Sequence, residues 1–444
     1  MKPISKLRFD SLAGYSRQPM MPLLVQELWW FEEANEKVLG LLALDRTDND
    51  YLYYILGRDA KGRFRAVSVE CSISTEQEAY SRLERKLSEQ SQMEPSSFHQ
   101  GDEVGEPIDF FIPVIDTDKR HPNFQALVSD RGWSPARGLL EELMHYFDDA
   151  DGNFVEQFQS AAFDARLWEL YLFALFTELG YGLDRTHNVP DFHCQGPLGY
   201  FFVEATTVNP SATLPVVDET NRRAYFDHYV PIKFGSALFS KLSKTTSGKR
   251  YWELPHVEGH PFVLAIQDFH EQQSMAWSST SLVEYLYGIR QVDRKMADGS
   301  VEIVSERIES HRWEEKEIPS GFFLQPNTEH ISAVIANPSG TLPKFNRMGF
   351  LAGFGDRDIR MVRNGFCYRD SLITQDFVAE VHSPNYVETW CEGLSVYHNP
   401  NAVHPLSAKS IPGAAHHFSR EGRIVTRQPE FHPVGSVTMI VVPK

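Results

Sequence analysis

An apolar helix followed directly by a strand hairpin is the feature that most constrains the fold of this chain. Between residues 155 and 179 apolar side chains recur at helical spacing, and Gly180 is placed to end the helix. Two β-rich runs follow, HNVPDFHC and LGYFFVEATTV, with turn residues between them. A helix with Pro231 in its first turn and a buried strand, HPFVLAIQDFH, come next. The pattern predicts helix, strand, strand, helix, strand in an α/β protein.

Two carboxylates are expected to meet on this hairpin. Asp191 lies on its first strand and Glu204 on its second. Because side chains alternate along a strand, Glu204 and Thr206 share one face, and the hairpin brings Asp191 beside them. Carboxylates that converge in an apolar environment repel each other unless a proton or a cation intervenes. Mg²⁺ prefers oxygen ligands of this kind, so the sequence predicts a magnesium or manganese site here.

The order of elements and the acidic pair together resemble the PD-(D/E)xK restriction-endonuclease-like superfamily, over roughly residues 155–270. The resemblance implies a restriction-endonuclease-like αββαβ core and metal-dependent hydrolysis of phosphodiester bonds, with DNA favoured over RNA as the substrate. It implies that Asp191 and Glu204 are catalytic residues that bind Mg²⁺ or Mn²⁺. It also implies that Glu169, on the preceding helix, is a further metal ligand.

The chain departs from the family at the third motif position, where Thr206 stands in place of the usual lysine. The resemblance then implies that a lysine comes from elsewhere, and the next helix offers Lys233, Lys241 and Lys244. Lys233 and Lys241 are eight residues apart and fall approximately on one helical face. We favour Lys241 as the catalytic lysine because it lies deeper in the helix, with Lys233 second and Thr206 at most donating a hydrogen bond.

Other interpretations stay open at this point. The pattern carries little information, and Glu204 could instead lie at a sheet edge or pair with Arg222 or Arg223, while Glu169 could be an exposed helix carboxylate. A catalytically silent module that binds nucleic acid or a protein partner is the alternative function. A third hypothesis is a metal hydrolase built on C-terminal histidines such as His398 and His404, although no HExxH spacing supports it.

The charge distribution confines any nucleic-acid site to a local surface. The formal net charge is −17, which argues against a basic coat protein. Residues 221–251 nevertheless hold seven basic side chains and one acidic one. The predicted nucleic-acid contacts in this run are Arg222, Arg223, Lys244, Lys249 and Arg250. A second basic stretch, Lys344 to Arg363, interleaves cations with phenylalanines and is a further candidate for nucleic-acid binding.

Three regions are expected along the chain. Residues 1–110 are predicted to form a β-meander with a helix near residues 75–87, capped by Ser74, and an acidic linker over residues 89–106. Residues 111–345 are predicted to be the nuclease-like core, with a charged and poorly periodic insertion near residues 291–320. Residues 346–444 are predicted to be an irregular, β-containing C-terminal extension that packs on the core and ends in the strand SVTMIVVP.

The cysteines and the apolar runs bear on the compartment. Cys71, Cys194, Cys367 and Cys391 lie far apart and form no CxxC pair, which favours a reducing cytoplasm over a disulfide scaffold. No apolar run approaches the ~20 residues of a transmembrane helix. We therefore expect a cytoplasmic protein without a membrane partner, and the sequence leaves a homodimer or a protein partner open.

Overall fold

The computed structural model of the chain describes residues 1–103, 109–147, 152–184, 186–296, 301–369 and 373–443. Residues 104–106 of the predicted acidic linker and residues 297–300 of the predicted insertion lie outside the described residues.

The N-terminal region is an antiparallel sheet covered by one helix. The predicted meander and helix are confirmed, although Thr75 rather than Ser74 caps the helix by accepting a hydrogen bond from the Glu78 amide. The start of the predicted linker is instead ordered, since the helix continues to Ser91 and Phe98 is buried against Gly57. The elements are β1 (Lys2–Pro3), α1 (Lys6–Ala13), α2 (Met21–Leu24), β2 (Val25–Glu33), β3 (Val38–Asp45), β4 (Tyr51–Arg58), β5 (Phe64–Ile73) and α3 (Glu76–Ser91).

Four helices follow, and the single helix predicted over residues 155–179 is wrong. They are α4 (Pro122–Ser129), α5 (Ser134–Met144), α6 (Phe154–Gln159) and α7 (Phe163–Glu178). The break falls at Ser160, which has an extended backbone. Gln159 explains it, because its carbonyl accepts from the His121 amide and its side-chain amide donates to the carbonyls of Phe110 and Ile112. These contacts with a distant segment outweigh the local helical pattern.

An eight-stranded mixed sheet forms the centre of the molecule, so the α/β prediction is confirmed. Its strand order is β21-β20-β19-β16-β11-β8-β7-β6. The elements from β6 to β16 are β6 (Gly182–Asp184), β7 (Phe192–Gly196), β8 (Gly199–Val208), α8 (Arg222–Ala224), α9 (Val230–Ser243), β9 (Thr245–Thr246), β10 (Lys249–Arg250), β11 (Phe262–Asp268), α10 (Ser279–Tyr287), β12 (Ile289–Lys295), β13 (Val301–Arg307), β14 (Ser310–Trp313), β15 (Lys316–Pro319) and β16 (Ala333–Ala336).

Each face of the central sheet carries its own hydrophobic core. Phe201, Val203 and Ala205 of β8 pack in the cluster that contains the buried side of α7. Phe202, on the opposite face of the same strand, packs with α9 and α10. Strands β6, β7 and β8 are antiparallel, and α9 then crosses over to β11, which is parallel to β8. The alternation of β8 therefore directs Glu204 toward α9.

The charged insertion is more regular than its sequence suggested. Strands β12 and β13 pair in one antiparallel ribbon, and β14 and β15 pair in another. Both are two-stranded, and β15 contacts α9.

The C-terminal region consists largely of regular strands, so the prediction of an irregular extension is wrong. Its elements are α11 (Leu342–Leu351), β17 (Arg360–Arg369), β18 (Gln375–Glu380), β19 (Ser395–His398), β20 (Ala415–Arg420), β21 (Arg423–Arg427) and β22 (Phe431–Val441). Strands β17, β18 and β22 form a separate sheet, whereas β19, β20 and β21 extend the central one. Strand β19 is buried along its whole length, so its four residues show no alternation that a sequence pattern would reveal.

None of the helices in the described residues is long and apolar enough to cross a membrane.

Candidate functional site

The β7–β8 hairpin brings Asp191 and Glu204 together as the sequence predicted. Asp191 directly precedes β7, and Glu204 lies in the middle of β8, which is an internal strand of the sheet rather than an edge. The Asp191 amide donates to Oε2 of Glu204 at 3.3 Å, and the Ala205 amide donates to Oδ2 of Asp191 at 2.7 Å. Each carboxylate is thus held by the backbone of the strand that carries the other.

Lys241 completes this arrangement from α9. Its Nζ donates to Oε1 of Glu204 at 2.6 Å, and its side chain is 19% exposed where that of Glu204 is 2% exposed. The partner of Glu204 is therefore Lys241 and not Arg222 or Arg223. We call Asp191 and Glu204 the carboxylate pair, and Lys241 is its lysine.

The environment of Glu204 disfavours its ionised form. Burial raises the pKa of Glu204, and the neighbouring charge of Asp191 raises it further, whereas Lys241 and Lys244 lower it, and the balance is a pKa of about 7. The ammonium of Lys241 therefore offsets only part of the cost of two adjacent carboxylates.

The other two catalytic candidates lie apart from this contact. Thr206 is half-buried on the face of Glu204, and its hydroxyl makes no hydrogen bond within the part of the chain that the structure describes. Lys233 donates to Oγ of Ser211 at 3.1 Å, near the carboxyl end of β8. Burial lowers the pKa of Lys233, while the charge of Asp268 raises it. The structure thus places Lys241, not Lys233, at the carboxylate pair.

Glu169 occupies the predicted place on the helix before the hairpin. Its carboxylate accepts from Nη1 of Arg166 at 2.7 Å, on its own helix α7. That helix packs on the sheet face opposite to the side chain of Glu204. A metal-binding role for Glu169 stays a prediction.

The predicted basic run divides into two groups at opposite ends of α9. Arg222 and Arg223 are exposed on α8, where Arg223 pairs with Asp227 at 3.4 Å. Lys244, Lys249 and Arg250 follow the carboxyl end of α9, close to Lys241. The hydrogen bond to Tyr251 and the charges of Glu204 and Asp191 raise the pKa of Lys244. The second group therefore contributes positive charge at the carboxylate pair.

The second basic stretch is buried in part, so three of its five cations are not available to nucleic acid, whereas Arg357 and Arg360 are exposed. Lys344, Arg347 and Arg363 are buried around Glu388, which accepts from Nε and Nη2 of Arg347 at 2.7 Å and from Nζ of Lys344 at 3.2 Å. Arg363 also donates to Glu392. These cations join α11 and β17 to the segment that holds Glu388, which is a structural role.

The histidine hypothesis receives no geometric support. His398 is buried, with its Nε2 at 2.9 Å from Nδ1 of His416, but His404 is exposed and lies outside this contact. Burial lowers the pKa of His398 to about 4. Burial also raises the pKa of the Cys194 thiol, which fits a buried strand cysteine rather than a nucleophile.

The donor set at the carboxylate pair suits a hard divalent cation. Two carboxylates converge there, and among the described residues nothing donates a hydrogen bond to Oδ1 of Asp191. Within the described part of the chain, a group of three carboxylates with oxygens no more than 4.8 Å apart occurs at Asp45, Asp48 and Asp50, in the turn after β3. Asp48 is exposed in that turn, and Asp45 and Asp50 are half-buried.

Sequence reasoning missed a buried chain of polar groups at the carboxyl end of β11. Oδ1 of Asp268 lies 2.6 Å from Nδ1 of His270, whose Nε2 lies 2.8 Å from the hydroxyl of Tyr225. Tyr225 also donates to Glu271 at 2.9 Å. The pattern Asp-Phe-His at the end of an apolar strand was the available signal. Oδ2 of Asp268 is buried without a partner among the described residues.

Comparisons of this chain with protein-family models, with curated proteins and with solved structures find no match.

Proposed function

We propose that this protein is a metal-dependent nuclease that hydrolyses phosphodiester bonds, with DNA as the favoured substrate. The observation that carries the proposal is the direct contact of buried Glu204 with Lys241 of the crossover helix, in a place where burial and the charge of Asp191 raise the pKa of Glu204. Structural ion pairs rarely place two like charges together, because their repulsion and desolvation are costly.

The arrangement of elements around the pair also supports the proposal. A helix (α7), an antiparallel meander (β6, β7 and β8), a crossover helix (α9) and a parallel strand (β11) follow one another in the chain. This is the order that the resemblance to the PD-(D/E)xK superfamily implies, with the short β6 added. The acidic pair lies on the central hairpin, as the resemblance also implies.

The residues of the pair divide the chemistry between them. Asp191 and Glu204 would hold Mg²⁺ or Mn²⁺, which when bound supplies charge stabilisation at the scissile phosphate and lowers the pKa of an attacking water. The backbone contacts of both carboxylates fix their orientation before the substrate arrives. Lys241, whose ammonium lies at Glu204, would orient the water or bind the phosphate.

We assign the role of the missing motif lysine to Lys241 of α9. This assignment is supported by the contact of its ammonium with Glu204, two residues before Thr206 on the same face of β8. Lys244, Lys249 and Arg250 lie next along the chain and would neutralise backbone phosphates on either side of the scissile bond.

The test is cleavage of supercoiled and linear DNA by the purified full chain with Mg²⁺ or Mn²⁺. We expect Asp191→Asn and Glu204→Gln to abolish metal-dependent cutting, and Lys241→Met to reduce it by roughly 10²-fold or more, as for loss of a catalytic proton-transfer or orienting group. The matched control is Lys233→Met, on the same helix, which should stay within a few-fold of wild type. Cutting that survives Asp191→Asn, or that depends on Lys233 instead of Lys241, would refute the assignment.

A silent nucleic-acid-binding or protein-binding module is the second candidate, and one observation favours it. The ammonium of Lys241 already occupies Oε1 of Glu204 and could serve as a permanent counter-ion. A silent module would bind DNA without cutting it and would gain no stability from Mg²⁺ or Mn²⁺. The nuclease would gain stability from both ions in wild type and lose that gain in Asp191→Asn.

A further inference from the structure

A group of stacked rings lies beside the carboxylate pair, toward the turn of the β7–β8 hairpin. We call it the ring platform, and it consists of Tyr200, Trp252, His187, His256, His260 and His330. The imidazoles of His187 and His256 stack in parallel, with centroids 3.8 Å apart. Tyr200 lies 4.4 Å from His260. Trp252 and His330 form a separate stack at 5.1 Å, which connects to the other rings through Phe262, 6.5 Å from Trp252 and paired in register with Phe202.

The platform is tied to the strand that carries Glu204. Phe202 is fully buried two residues before Glu204 on the same face of β8, and its ring lies within about 6 Å of the rings of Tyr200, His256 and His260. Tyr200, the platform ring on β8, lies four residues and about 13 Å along the strand from Glu204, with Phe202 between them on the same face. His256 also approaches the carbonyl of Val189, two residues before Asp191, at 2.8 Å.

The rings remain accessible to solvent. His187 and His260 are exposed, and the other four members of the platform are half-buried. In contrast, the aromatic clusters elsewhere in this core, such as Tyr225 with Tyr229, are buried. Half-exposed aromatic and imidazole faces next to a proposed phosphodiester site are surfaces on which bases can stack.

Cations flank the same surface. Lys249 and Arg250 lie three and two residues before Trp252, and Lys244 lies 5.6 Å from the ring centre of Tyr251. Lys244 and Lys249 are exposed, and Nη1 of Arg250 donates to the carbonyl of Leu242 at 3.1 Å rather than to a carboxylate. Their charge is therefore available to a polyanion whose bases rest on the platform.

We propose that the ring platform binds an unpaired nucleic-acid strand by stacking its bases beside the carboxylate pair. The inference rests on the proposed function, and it narrows the substrate to single strands, or to duplexes with unpaired or splayed ends. Bases in a continuous duplex are stacked on each other and cannot reach the rings, whereas the phosphates of both forms can reach Lys249 and Arg250.

The test measures binding without metal, so that cleavage plays no part. The full chain carrying Glu204→Gln is titrated in a chelator with a labelled oligothymidylate and with a blunt duplex of the same length, at several salt concentrations. We expect the single strand to bind more tightly than the duplex. Adding Trp252→Ala or Tyr200→Ala should weaken single-strand binding roughly tenfold with little change in its salt dependence, because stacking contacts release no counterions.

Three controls separate stacking from other causes. Trp252→Phe keeps a ring and should retain most of the affinity, which guards against a folding defect in Trp252→Ala. Trp29→Ala removes an exposed tryptophan from the N-terminal sheet and should leave binding unchanged. Lys249→Ala should instead flatten the dependence of binding on salt, since it removes a phosphate contact.

Several results would overturn the inference. These are equal affinity for single strand and duplex, unchanged binding in both ring variants, or no oligonucleotide binding at all, which would point to a protein partner. The outcome is independent of the cleavage assay. If single-strand binding needs the rings but the protein cuts no DNA or RNA, the proposed nuclease activity is refuted and the proposed base-stacking site is supported. If the protein cuts DNA but the ring variants bind as wild type does, the nuclease is supported and the base-stacking site is refuted.

Discussion

Glu204 and Glu388 are both buried glutamates that contact lysine, yet their surroundings differ in one decisive respect. Glu388 is met by three cations, Lys344, Arg347 and Arg363, and by the hydroxyl of Tyr386 at 2.7 Å. Glu204 pairs directly with one cation, Lys241, and, besides its burial, the negative charge of Asp191 lies close enough to raise its pKa. The charge of Glu388 is thus fully compensated by cations, whereas the charge of Glu204 has one direct cation and a like charge close by.

The pKa values move in opposite directions as a result. Burial alone would raise the pKa of Glu388, but Arg347, Lys344 and Arg363 hold it well below its usual value. At Glu204, burial and Asp191 together raise the pKa to about 7 despite Lys241. A site whose charges are fully compensated stabilises the fold, whereas a site left short of positive charge is suited to take up a cation.

Glu388→Gln gives the largest expected effect. Removing this charge leaves three buried cations with Glu392 alone, so we expect a loss of about 3–5 kcal/mol in the free energy of unfolding. Urea denaturation at pH 7 measures it. The control is Glu380→Gln, an exposed glutamate 65% accessible to solvent, which should change stability by less than about 0.5 kcal/mol. If Glu388→Gln leaves the free energy of unfolding unchanged, the cluster around Glu388 does not stabilise the fold.

Glu204→Gln should change stability in the opposite direction. A carboxyl whose pKa is raised on folding destabilises the protein above that pKa and ceases to do so as the pH falls toward its unfolded value of about 4.5. Neutralising it should therefore stabilise the chain by about 2 kcal/mol at pH 8, after the loss of the Lys241 partner is allowed for, and by less than about 1 kcal/mol at pH 5. Denaturation at the two pH values checks this. A destabilised variant at pH 8 would make Glu204 another structural glutamate.

Mg²⁺ should stabilise the wild-type protein by an amount that depends on pH. Below the raised pKa of Glu204, protons compete with the ion, so protection by a fixed Mg²⁺ concentration should be larger at pH 8 than at pH 6. A concentration ten times the dissociation constant adds about 1.4 kcal/mol. Thermal unfolding with and without Mg²⁺ measures it. Equal protection at both pH values, or protection that persists in Glu204→Gln, would contradict metal binding by this carboxylate.

Thr206→Val gives the smallest expected effect. The Thr206 hydroxyl bonds to none of the described residues, and the substitution keeps the shape of the side chain. We expect a change of less than about 0.5 kcal/mol in stability and of less than about threefold in cleavage. A large loss of cleavage would mean that Thr206 acts directly in place of the motif lysine.

Local patterns accounted for the hairpin, the crossover helix and the acidic pair. The alternation of LGYFFVEATTV placed Glu204 on the α9 face, and the spacing in PIKFGSALFSKLSK placed Lys241 deep in a helix. Both are properties of neighbouring residues. The choice between Lys233 and Lys241 could be predicted only in part, because it also depends on the position along β8 at which helix α9 crosses the strand.

What local patterns could not reveal depends on distant contacts. The break at Ser160 follows from hydrogen bonds between Gln159 and the carbonyls of Phe110 and Ile112, 49 and 47 residues away. The basic stretch from Lys344 to Arg363 looked like a charged surface because Glu388, its partner, lies outside that window. Strand β19 carried no alternation because both its faces are buried. In each case the deciding residue is remote in sequence.

The most direct test of the carboxylate pair is calorimetric titration of Mn²⁺ into wild type, Asp191→Asn and Asp48→Asn at pH 8. The account predicts a Mn²⁺ site in wild type that is lost in Asp191→Asn and kept in Asp48→Asn. Binding that survives Asp191→Asn but is lost in Asp48→Asn would place the metal in the exposed turn of Asp45, Asp48 and Asp50. That result would contradict a metal-dependent nuclease site on the β7–β8 hairpin.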